Sequence, residues 1–172
     1  MVTGIKDFLP FTAAAGVVVG ALVSNFGTYL LEKRKQAAES KRLALAFRGE
    51  IRALLELVKR RKYIETFQWF IEQMESTGNK YYPKMQIRRE YFPVFTNNVG
   101  HIGLLKNPLP ELIAQFYIQA NSVLEDIESY RDGSLNDVGF ADLVENTKEV
   151  CALFQETLSI GELIIKETEA RY

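Results

Sequence analysis

His101 is the only histidine in 172 residues, so catalytic triads and histidine-rich metal sites have almost nothing to draw on. It lies in the stretch Ile87-Arg88-Arg89-Glu90-Tyr91-Phe92-Pro93-Val94-Phe95-Thr96-Asn97-Asn98-Val99-Gly100-His101-Ile102-Gly103-Leu104-Leu105, which gathers two arginines, two adjacent asparagines and the histidine. A histidine does acid–base work only beside a positioned partner. Without one, His101 is a residue that caps or fills the start of the following helix. No glycine-rich phosphate loop follows a strand, and no acidic cluster has calcium-loop spacing. Cys151 is the only cysteine, which excludes an intrachain disulfide and a cysteine-based metal site. The chain is expected to hold no metal or cofactor and to perform no conventional enzymology.

The elements that must position these residues read as helices. From Glu32 to Thr77 there is no proline, and Gly78-Asn79 makes a natural helix end. Phe47, Ile51, Leu54, Leu55 and Val58 keep helical spacing, resumed by Phe67, Phe70 and Met74. Lys59, Arg60, Arg61 and Lys62 interrupt this stripe, and four charges in a row cannot all face a core. Pro93 opens a short helix, Val94 to Val99. Asn107 and Pro108 start the next as cap and first residue, and Arg131 and Gly133 close it. A last helix begins near Phe140 and carries Val144, Cys151, Phe154, Leu158 and Ile165, while its many glutamates read as a solvated face. No segment alternates as a strand. The expected fold is all-α, with an antiparallel bundle of three long helices and one short helix over residues 32–172. Cys151, Trp69, Tyr81 and Tyr82 are expected in core or loop packing.

Ahead of this bundle, Phe8 to Leu31 (FLPFTAAAGVVVGALVSNFGTYLL) carries no charge over 24 residues and runs straight into Glu32-Lys33-Arg34-Lys35. At about 1.5 Å per residue a helix of this length reaches about 36 Å, enough to cross a hydrocarbon core of about 30 Å. Lys6 stands alone before it, beside Asp7, so a cleavable signal peptide is disfavoured. The cations after it predict a single span with the N-terminus outside and the C-terminal domain in the cytoplasm, at the inner membrane. Thr12, Gly16, Gly20, Ser24 and Thr28 recur every fourth position, forming a small-residue face suited to close helix association; Asn25 adds a polar contact between helices or toward a lumen.

The net charge of −1 hides an asymmetry. Residues 33–90 hold 15 Lys/Arg against 7 Asp/Glu, and residues 91–172 hold 5 against 13. Either the two halves satisfy one another, or the basic residues Lys33, Arg34, Lys35, Lys59, Arg60, Arg61 and Lys62 meet anionic lipid, RNA, a nucleotide or an acidic neighbour.

The stretch from Arg88 to His101 resembles a degenerate HEPN domain, the all-α bundle of many RNA-cleaving and RNA-binding defence proteins. That family's motif is an arginine, a polar residue, three or more variable residues and a histidine. Asn97 and His101 match the polar residue and the histidine, Thr96 stands where the arginine belongs, and Arg88 or Arg89 would have to substitute in space. With the N-terminal span, the chain resembles the small membrane accessory proteins of type VI-B CRISPR systems. The resemblance implies a ring-forming homo-oligomer that permeabilises or depolarises the membrane beside an RNA-guided RNA nuclease, strengthening anti-phage defence. Two other readings stand beside it: a membrane-tethered HEPN-like protein that binds or cleaves RNA through Asn97, His101 and Arg89, and a scaffold recruiting a partner to the membrane.

Overall fold

In a computed structural model the described residues are 9–82 and 91–172, with residues 9–25 described by their backbone alone. All regular structure among them is helical: α1 (Leu9–Arg61), α2 (Tyr63–Thr77), α3 (Pro93–Asn98), a 3-10 turn over Val99–Leu104, α4 (Leu109–Asp132) and α5 (Phe140–Arg171). Among these residues no helix is long and apolar enough to cross a membrane. The expected span over 8–31 falls mostly on side chains outside that description. By its contacts the chain divides into Met1–Ser40 and Lys41–Tyr172, and the core belongs to the second unit.

The break between α1 and α2 has a clear cause in the sequence. Continued as one helix, the stripe Ile51, Leu54, Leu55 and Val58 would next present Arg61, Lys62 and Glu65 to the core. Instead Lys62 adopts a left-handed conformation with φ 52°, which rephases the chain. Phe67 and Met74 are then fully buried, with Tyr63, Ile64 and Ile71 packed around them. All four residues from Lys59 to Lys62 are exposed. The strain of a left-handed lysine is accepted because burying its charge costs more.

α2 ends as its sequence predicts, with Gly78 at φ 69° and its amide bonded to the Met74 carbonyl at 2.9 Å. The short helix also forms, but the chain then tightens into the 3-10 turn, which buries Ile102. The start of α4 differs from expectation. Pro108, not Asn107, is the cap residue, and Pro110 occupies the first turn, where a missing N–H costs nothing.

α5 runs antiparallel to α1, α2 and α4. Against α4, Gln119 meets Glu156 at 3.1 Å and Tyr130 meets Thr147 at 3.0 Å. Against α1 and α2, Arg52 meets Glu169 at 2.7 Å and Glu75 meets Lys148 at 2.8 Å. It follows that α1–α2 and α4 run in the same direction and α5 alone of the long helices runs against them, because α3 restarts beside Glu50 rather than beside Thr77. Gly161 permits a close approach: a Cβ there would lie 2.9 Å from Phe116 and 3.1 Å from Leu55. Two apolar clusters fill the bundle. One is built on Phe47, Ile51, Phe116 and Tyr117, the other on Phe67, Tyr130, Leu143 and Phe154. Buried Thr147, Thr157 and Thr168 each donate to a carbonyl one turn back on α5, so no side-chain polarity is stranded there.

Candidate functional site

Glu50 organises the region around α3. It is three residues after Phe47 and four before Leu54, so its carboxylate sits on the apolar face of α1. It accepts hydrogen bonds from the backbone amides of Val94 at 2.6 Å and Phe95 at 3.2 Å, and from the Tyr117 hydroxyl. The carboxylate thus supplies acceptors that the start of α3 lacks, and pins that helix to α1 and α4. Tyr117 is fully buried, stacked on Phe95 at 4.1 Å and edge-on to Phe92 at 5.2 Å. Burial first, then the neighbouring carboxylate, hold its phenol far above the ordinary tyrosine range. This is a closed structural clamp.

The residues singled out by the motif lie outside the clamp. Thr96 bonds back to the Phe92 carbonyl at 2.9 Å, and half-buried Asn98 to the Val94 carbonyl at 2.8 Å. Asn97 on α3 and His101 on the 3-10 turn are exposed. His101 neither caps nor fills the start of α4, contrary to expectation; that position belongs to buried Leu109 after Pro108. Among the described residues His101 makes no hydrogen bond or ion pair, so nothing there orients it for proton transfer. Arg88 and Arg89 lie outside the described residues.

The basic residues form two groups. Lys33, Arg34 and Lys35 are exposed on α1, and the Lys33 ammonium lies 4.9 Å over the ring of exposed Tyr29. Gly16, Gly20, Ser24 and Asn25 fall on the part of α1 described by backbone alone; Thr28 is exposed. At the α1–α2 break, exposed Arg61 donates to the Tyr63 hydroxyl at 2.7 Å, and the Tyr63 side chain is also one wall of an apolar cleft. That cleft is lined by Leu54, Val58, Tyr63, Tyr91, Leu124 and Leu158, among others. Sequence reasoning named the four charges but missed the cleft, whose walls come from α1, α2, α4 and α5.

Arg48 and Arg52 both reach Glu169, so the basic and acidic halves meet directly there. Trp69 is half exposed and edge-on to Phe70 and Tyr81, rather than in the core. Cys151 is buried, and burial raises its thiol pKa. No group of three or more His, Cys, Asp or Glu side chains among the described residues is arranged to hold a metal ion.

Comparison with protein-family models, with curated proteins and with solved structures finds no match to this chain.

Proposed function

We propose that this protein is a non-enzymatic membrane effector. Residues 8–31 form its single span, with the N-terminus out, and the helical bundle lies on the cytoplasmic side. The reading is carried by the uncharged 24-residue run that ends against Lys33, Arg34 and Lys35. On its described part Phe26, Tyr29, Leu30 and Leu31 are all exposed. Four large apolar side chains within six residues of a solvent-facing helix are costly in water and natural in a lipid interface, where Lys33 over Tyr29 matches an aromatic belt with a snorkelling cation.

Gly16, Gly20 and Ser24 make the span self-associate, and a ring of such spans leaks ions or small solutes. In keeping with the membrane accessory proteins of type VI-B CRISPR systems, whose HEPN-like bundle it resembles, the leak would depolarise an infected cell beside an RNA-guided RNA nuclease. His101 is exposed and makes no hydrogen bond or ion pair among the described residues, which favours this reading over RNA cleavage.

Release of a small dye from liposomes containing the full chain is the direct test. Gly20→Leu is expected to abolish release, and His101→Ala to leave it unchanged. Tight vesicles with the unmodified chain would sink the pore and leave the span as an anchor. Loss of release with His101→Ala would bring the RNA-directed reading forward.

A further inference from the structure

A groove of about 440 Å³ runs along the seam between α4 and α5. Asp126, Ser129 and Tyr130 line it from α4, and Asn146, Glu149 and Val150 from α5. None of its walls comes from α1 or α2, so it lies on the side of the seam turned away from them. It carries two carboxylates and no lysine or arginine. The side chains of Asp126, Asn146 and Glu149 make no hydrogen bond or ion pair among the described residues. Asp126 is also half-buried. A partly desolvated carboxylate without a counter-charge is costly, and a cation brought from outside would offset that cost.

Cations that suit it stand on the opposite side of the same unit. Lys59, Arg60 and Lys62 are exposed at the break between α1 and α2, and none of the three makes an ion pair among the described residues. The turn and the groove share a level along the bundle. Tyr63, next after Lys62, packs on Phe154 at 6.3 Å between ring centres, and Leu153 beside Phe154 lines the groove. Complementary patches on opposite sides of one unit, at one height, generate head-to-tail contacts that close into a ring or run on as a filament. A copy placed by such a contact is shifted sideways without being inverted, so neighbouring bundles point the same way.

We propose that the α4–α5 groove receives the Lys59–Lys62 turn of a second copy of this chain, with Asp126 and Glu149 pairing cations that are unpaired within one copy. The contact extends self-association from the span to the helical bundle. It uses only residues of Lys41–Tyr172, and it holds whether or not residues 8–31 form a pore.

The test uses the full chain in dodecyl maltoside micelles as two batches, one carrying Arg60→Cys and the other Asn146→Cys; the native Cys151 is buried. A short bismaleimide is expected to link the two batches when they are mixed, and neither batch to itself. Adding Lys59→Glu and Lys62→Glu to the first batch, or Glu149→Lys to the second, is expected to cut linking at least about tenfold, because like charges then face each other. Both sets of reversals together are expected to restore it. All three reversed side chains are exposed, so the unfolding midpoint is expected to stay in place and the loss to read the contact alone. No link in the mixture would leave the groove to a cation from another source and overturn the proposal. Equal linking within one batch overturns the head-to-tail geometry, and reversals that fail to restore one another overturn the charge pairing. Dye release reads the span separately. Release without linking overturns this contact and leaves the pore, whereas linking without release keeps the contact and removes the pore.

Discussion

Two charged residues of α1 are each bonded to a tyrosine, with opposite consequences. Glu50 faces inward, and its two oxygens take three hydrogen bonds, from Tyr117 and from the amides of Val94 and Phe95. Arg61 faces outward at the last turn of the same helix and donates to the Tyr63 hydroxyl at the surface. The first pair is closed by packing from Phe92 and Phe95; the second stands at the mouth of an apolar cleft. A buried charge is tolerated only when its hydrogen-bonding capacity is consumed, and a saturated group has nothing left for a ligand. Partial burial and three hydrogen bonds to the protein mark Glu50 as architecture, whereas Arg61 keeps its charge at the surface at the end of the same helix.

The strongest way to break this contrast is to delete each charge. Glu50→Ala strands the Tyr117 hydroxyl and two amides, and should cost about 2–3 kcal/mol in urea unfolding. Arg61→Ala, at the surface, should leave the unfolding midpoint nearly unchanged. Equal losses from the two variants would show that Arg61 is structural as well. A smaller effect sharpens the role of the break between the two pairs. Lys62→Gly relieves a left-handed side chain and should stabilise by about 1 kcal/mol, raising the thermal midpoint by a few degrees; a fall would mean that the Lys62 side chain supports the turn. The smallest effect lies away from both tyrosine pairs and depends on pH. Partial burial, then Glu125, raise the Asp126 carboxyl above its ordinary pKa. The folded state therefore holds this proton more tightly than the unfolded one, and stability from this group is greatest at acid pH and lost as pH rises through the raised value. Asp126→Asn should be slightly more stable than the native chain at pH 7, the difference shrinking toward pH 3; a constant offset would remove titration as its cause.

Much of this was legible in the residues themselves. The Phe47-to-Val58 stripe, the glycine ends at Gly78 and Gly133, and the four charges that cannot be buried follow from helical periodicity and backbone preference, which are local. Glu50 was legible in principle, as an acid at three- and four-residue spacing from Phe47 and Leu54, but its partners are 44, 45 and 67 residues away. What the motif around His101 left open has a related cause. Nearness in sequence says nothing about shared orientation, and the 3-10 turn leaves His101 exposed while burying its neighbour Ile102.

The sequence by itself determined that the chain is helical, where its helices stop, that residues 8–31 are apolar and followed by cations, and that the four charges from Lys59 to Lys62 cannot all face a core. Each rests on the pattern within a few turns of one helix. The tertiary structure alone decided that α1–α2 and α4 run the same way, that Glu50 is consumed by Tyr117 and α3, and that a hollow opens beside Arg61. Those outcomes depend on side chains from distant segments competing for the same space and the same hydrogen bonds, and no local pattern encodes which of them meet.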